Sequence, residues 1–147
     1  TRYWRDWSSD VCSSDLGQAR PMNLPVTCVL IAGVLPLVST AIAKWGFQGF
    51  DNHNPREWLA RQTGFRARAN AAQHNAFEAF PFFAAAVALA LILGLETPIL
   101  NRYCVVFVAA RLAYLVAYVA DWALFRTLCW ILAYASCLAI YVQLLGR

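Results

Sequence analysis

The sequence lacks a CxxC pair and any spaced pair of cysteines. Its five cysteines are scattered. Cys28, Cys104, Cys129 and Cys137 fall in or beside apolar blocks, where single cysteines act as small packing residues. We assign them no metal and no disulfide. No block alternates apolar and polar residues with period two, so strands are not expected, and four strands would not close a membrane barrel. Charge of either sign is sparse. The net charge of +4 is mild and argues only weakly for nucleic acid.

What the chain has is apolar residues. They make up 61% of its 147 positions, against roughly 45–50% in a soluble domain. They gather into four blocks, the pattern of a membrane protein rather than of a large soluble core. The expected helices cover about 24–43, 66–94, 104–120 and 127–145. The second and third connections are short, so neighbouring helices should run antiparallel. The fold class expected is an all-α, four-transmembrane-helix up-down bundle.

The segment before these blocks does not fit. "DWSSDVCSSDL" has neither an amphipathic period nor an apolar run, and it is not a signal peptide, which needs a basic start and an apolar centre. A common sequencing adapter, read through in frame, encodes these residues in order. Residues 1–21 are therefore set aside as an adapter-derived tail, with a disordered native tail as the alternative, and the natural start is expected at Met22. Three arginines and three aspartates fall in the tail, so the charge balance survives its removal.

Loop cations set the orientation. Lys44, Arg56, Arg61, Arg66 and Arg68 lie between the first two blocks, and Arg126 between the last two. Arg102 and Arg147 are the cations of the other side. The first loop is expected to be cytoplasmic, in a bacterial inner membrane if the source is bacterial. Within that loop "NPREWLARQ" suits a short interfacial helix.

The second block opens on "RARANAAQHNAFEAFPFF" and only then becomes purely apolar. Residues three, four and seven apart share a helix face, so Arg68, Asn75, Glu78 and Phe82 form one stripe. A lone carboxylate inside a membrane costs about 2.5–3.5 kcal/mol on insertion scales. Glu78 should therefore be protonated or paired. The third block offers a partner in Arg111, followed on the same face by Tyr114, Tyr118 and Asp121. Antiparallel packing would bring Arg111 to Glu78.

A Glu–Arg pair between membrane helices is often only glue, and bundle tyrosines often only fill space. Here the polar groups outnumber the needs of one ion pair, and intramembrane ionisable groups are functional candidates by default. Several arginines beside a carboxylate and an amide suit a zwitterion with more than one carboxylate, since arginine pairs with carboxylates bidentately. An apolar wall would take a lipophilic second substrate. Glutathione with a lipophilic electrophile satisfies that description without being singled out by it.

"AAQHNAFEAFPFF" and "ARLAYLVAY" resemble the second- and third-helix motifs of the MAPEG family, the membrane-associated proteins in eicosanoid and glutathione metabolism. Asn75, Glu78 and Pro81 match the first motif, and Arg111 and Tyr118 the second. The loop before them resembles a short bacterial branch. The resemblance spans nearly all of 22–147. It implies a homotrimer of four-helix protomers with glutathione as co-substrate between subunits, near the cytoplasmic side. It implies ligand binding by Arg68, Asn75, Glu78, Arg111, Tyr114 and Tyr118, and a catalytic role in thiolate stabilisation for Arg126. Two positions depart from the pattern: Ala71 stands where an arginine is usual, with Arg68 as its substitute, and Trp130 stands where some members have tyrosine. His74 is read as a surface or interface residue.

The activity expected is glutathione conjugation or reduction of lipophilic electrophiles in the bilayer. Two rival readings stand beside it. One is a non-catalytic membrane protein that binds lipid or glutathione. The other is a small proton-coupled transporter with Glu78 as its proton site, which usually keeps one lone carboxylate rather than this company of Asn, Arg and Tyr.

Overall fold

A computed structural model describes residues 23–46, 49–95 and 97–146. The tail expected at 1–21 and the start expected at Met22 lie outside the described residues. The chain forms five helices: α1 (Leu24–Ala43), α2 (Pro55–Ala60), α3 (Gly64–Ile92), α4 (Pro98–Val119) and α5 (Ala123–Leu145). All but α2 are long and apolar enough to cross a membrane. α2 is the short helix expected in "NPREWLARQ", with Glu57 and Arg61 paired one turn apart on it.

Local chemistry sets the ends. Asn23 caps α1 by accepting from Val26 N, and Pro25 occupies the first turn, where its missing N–H costs nothing. α3 begins at Gly64 and is 29 residues long, about 43 Å at 1.5 Å per residue. A hydrocarbon core is about 30 Å thick, so α3 carries its polar first turns beyond the lipid. It stops at Gly94 (φ 69°), where Leu95 N donates to Ala90 O at 2.7 Å.

Two helix starts differ from expectation. α4 begins at Pro98, not near 104, because the Thr97 hydroxyl accepts from Leu100 N at 3.1 Å and Pro98 fills the first helical position. "ILNRY" is therefore helix rather than turn. α5 begins at Ala123, not 127. Asp121 takes a left-handed φ of 66°, and Trp122 N donates to Ala117 O at 2.9 Å, which turns the chain within residues 120–122. Arg126 thus sits on the first turn of a helix rather than in a loop.

α1 packs mainly on α3, and α4 on α5. Small residues let these backbones approach, as is usual in membrane bundles. Ala69, Ala72, Ala76, Ala79, Ala86 and Ala90 make the buried seam of α3. Gly33 faces Phe80 so closely that a Cβ there would meet its ring at 3.1 Å. Phe83 and Phe107 stack at the centre, ring centroids 3.8 Å apart. Large side chains such as Leu30, Leu37, Ile92 and Leu124 point outward. An apolar exterior over a tightly packed interior suits lipid as the surrounding solvent.

Candidate functional site

α3 and α4 bring Asn75 and Arg111 together. Arg111 is 3% exposed and points into the bundle. Its Nη1 donates to Asn75 Oδ1 at 2.8 Å, and Asn75 Nδ2 donates to Glu78 Oε2 at 3.2 Å. The amide links cation and carboxylate, its oxygen accepting from one and its nitrogen donating to the other. The expected direct contact of Arg111 with Glu78 is replaced by this link: among the described residues no ion pair joins them. The reason is geometric. Asn75 and Glu78 lie on one α3 face, but Glu78 projects to the exposed side while Arg111 approaches from within.

The chain of contacts continues along α4 and onto α5. The Arg111 guanidinium carbon lies 4.6 Å from the Tyr114 ring centre. Tyr114 and Tyr118 meet edge to face at 5.4 Å. The Arg126 guanidinium covers the Tyr118 ring at 4.4 Å. Glu78, Asn75, Arg111, Tyr114, Tyr118 and Arg126 therefore form one continuous series across three helices. Such cation–π contacts hold a guanidinium over a ring while leaving its N–H edge able to meet an anion.

Arg68 stands apart from that series. Its Nε and Nη2 donate to Val119 O at 3.2 and 3.0 Å, and Nη1 lies 3.5 Å from Asp121 Oδ2. It occupies the carbonyl end of α4, where a cation is favoured. Asp121 does not continue the α4 stripe, because α4 ends at Val119 and the left-handed turn redirects it to Arg68. Arg68 near Val119 and Asn75 near Arg111 is the pairing of antiparallel helices. It also puts the α1–α3 connection and the α4–α5 turn at one end of the bundle.

Beside Glu78 the α3–α5 border is aromatic. Phe82 stacks on Tyr141 at 4.8 Å and on Tyr134 at 6.3 Å, and Tyr134 meets Trp130 at 4.6 Å. The Tyr141 hydroxyl donates to Phe82 O at 3.0 Å. Sequence reasoning missed Tyr134 and Tyr141. Their signal was available: Trp130 and Tyr134 are four apart and Tyr141 seven further on, all on one helix face. Ala71 is half-buried and His74 exposed. Cys28, Cys104, Cys129 and Cys137 are buried free thiols, and no group of three or more His, Cys, Asp or Glu suited to a metal occurs among the described residues.

A buried guanidinium, a carboxylate facing outward through an amide, two phenols and a second cation can receive a ligand bearing both charges. The aromatic border adds an apolar surface at its edge. Comparison with curated proteins and with solved structures gave no match. The MAPEG family model matches residues 24–146, covering all four long helices and every residue of the site just described. The chain is an integral, multi-pass membrane protein and belongs to the MAPEG family.

Proposed function

We propose that the Asn75–Glu78–Arg111 cluster binds glutathione and that the protein conjugates or reduces lipophilic electrophiles dissolved in the bilayer. One observation carries this reading: the buried Arg111 spends one N–H on Asn75, in a series of groups that ends on a second, partly exposed guanidinium at Arg126. Arg111 would pair with a carboxylate of the tripeptide, Glu78 with its ammonium, and the Asn75 amide would fix the spacing. Tyr114 and Tyr118 supply hydroxyls. A homotrimer would place a neighbour against the exposed Glu78. The bundle end carrying Arg68 and Arg126 would face the cytoplasm, by the loop-cation bias, in a bacterial inner membrane.

In this reading Arg126 is the catalytic residue. A nearby cation favours the thiolate over the thiol. The thiol proton leaves to solvent. The sulfur then bonds to the electrophilic carbon as the bond to the leaving group breaks, and the leaving group takes its electron pair away. Holding both reactants in one site supplies much of the rate. The test is ultraviolet absorbance of thiolate on adding glutathione to the purified protein, with turnover across a panel of electrophiles. Absence of both rejects the enzyme reading.

The engagement of Arg68 favours a second reading. Ala71 carries no charge, and Arg68 is directed at the end of α4. A protein that binds glutathione or lipid without turnover would keep Arg111 and Asn75 but need no thiolate. Binding without thiolate absorbance would identify it.

A further inference from the structure

The turn between α4 and α5 is short and closed by backbone hydrogen bonds. α4 ends in a Schellman motif: Asp121 takes the left-handed conformation, its N–H donates to Tyr118 O at 3.3 Å, and Trp122 N donates to Ala117 O at 2.9 Å. Ala120 N donates to Val116 O at 2.9 Å. One carbonyl of the last turn is left over. Among the described residues, no backbone N–H reaches Val119 O. Arg68 fills that place from α3. Its Nε and Nη2 both donate to Val119 O, and its Nη1 faces Asp121 Oδ2. All three guanidinium nitrogens thus point at the turn, and the planar fork gives the contact one orientation.

α5 starts at once. Trp122, whose N–H closes the α4 end, also accepts from Arg126 N at 2.9 Å through its carbonyl, the opening bond of α5. The Arg126 guanidinium lies back over the Tyr118 ring, 4.4 Å from its centre, and Tyr118 O accepts from Asp121 N. The placing of Arg126 over Tyr118 is therefore set by the turn that Arg68 holds. On α3, Asn75 follows Arg68 by seven residues, which puts it two turns on along the same face, about 10 Å along the axis. A single helix then fixes both the partner of Arg111 and the turn that leads to Arg126.

We propose that Arg68 is a positioning residue: it holds the α4–α5 turn at a fixed distance along α3 from Asn75, and so keeps the Arg126 guanidinium over Tyr118. It does not itself contact the ligand. The consequence for the thiolate rests on the proposed function, whereas the placement of Arg126 rests on contacts within the chain. With Arg68 removed, the Val119 carbonyl loses both of its donors, the turn loosens, and Arg126 leaves the ring. The charge that favours the thiolate is then spread over many positions rather than held at one.

The placement is read by nitrogen-15 NMR of the full chain in detergent, with labelled arginine. The Arg126 Nε–H resonance, identified by its loss in Arg126→Ala, should be displaced by the Tyr118 ring. In Arg68→Met it should move more than halfway to the position of an exposed arginine. Arg68→Lys keeps a cation at the carbonyl and should restore most of the displacement. Asp121→Val should also release Arg126 with Arg68 intact, since a β-branched residue resists the left-handed turn. Asp121→Gly, which adopts that turn freely, should not. Thiolate absorbance against pH, on adding glutathione, reads the consequence. Arg68→Met should raise the midpoint by at least half of the change produced by Arg126→Ala, while glutathione affinity below the midpoint stays the same. An unmoved Arg126 resonance in Arg68→Met overturns the proposal. So does a fall in glutathione affinity with the midpoint unmoved, the signature of a ligand contact. A resonance released in Arg68→Met, with no thiolate formed by wild type, upholds the positioning role and rejects the thiolate reading.

Discussion

Asn75 Oδ1 lies 2.8 Å from Arg111 Nη1, joining two helices across 36 residues of sequence. Arg111 is buried and Glu78 exposed, so the amide is what couples the interior charge to the surface carboxylate. Replacing Asn75 by Leu leaves a buried guanidinium without its acceptor, which costs about 1.5–3 kcal/mol for a hydrogen bond to a charged group. Thermal unfolding in detergent should show that loss.

Glu78→Gln should behave differently. The side chain is exposed and still accepts from Asn75, so stability changes by less than about 0.5 kcal/mol. If the proposed function holds, glutathione affinity nonetheless falls at least tenfold, because the ammonium loses its counter-charge. A titration calorimetry series of wild type, Glu78→Gln and Arg111→Ala separates the stability effect from the binding effect.

The two contacts of Arg68 are unequal. The hydrogen bonds to Val119 O are partly buried, whereas the Asp121 carboxylate is 65% exposed at 3.5 Å. Arg68→Met should cost about 1–2 kcal/mol and loosen the end of α4. Asp121→Asn should cost under about 0.5 kcal/mol, as exposed ion pairs do. Equal losses in unfolding experiments would mean that the ion pair, not the carbonyl, holds the turn.

If the proposed function holds, removing the Arg126 cation moves the pH dependence of conjugation. A cation lowers the thiol pKa, so Arg126→Ala raises it, and activity begins at higher pH by about one unit or more. Arg126→Lys should fall between. A pH–rate profile that is unchanged in Arg126→Ala removes this residue from thiolate formation.

Gly33 reports on the α1–α3 seam. A Cβ at this position lies 3.1 Å from the Phe80 ring. Gly33→Ala therefore sets a helix-propensity gain of about 1 kcal/mol against a small displacement of Phe80, and should be close to neutral. Gly33→Leu has no such relief and should destabilise by about 1–3 kcal/mol through overpacking.

Hydropathy and spacing alone determined the four spans, the polar start of α3 and the shared face of Arg111, Tyr114 and Tyr118. These are local properties, set by bilayer thickness and by the 3.6-residue helical period. The starts of α4 and α5 differ from expectation because an apolar window does not weigh a cap. Thr97 with Pro98, and the left-handed turn at Asp121, decide those starts within one or two residues. Only the packed tertiary structure decided which polar groups meet. It placed Asn75 between Arg111 and Glu78, sent Arg68 to the end of α4, set Arg126 over Tyr118 and built the aromatic border from Tyr134 and Tyr141. Those partnerships depend on the depth and rotation at which helices pack, and small residues such as Gly33 and the alanine seam of α3 fix both through contacts far apart in sequence.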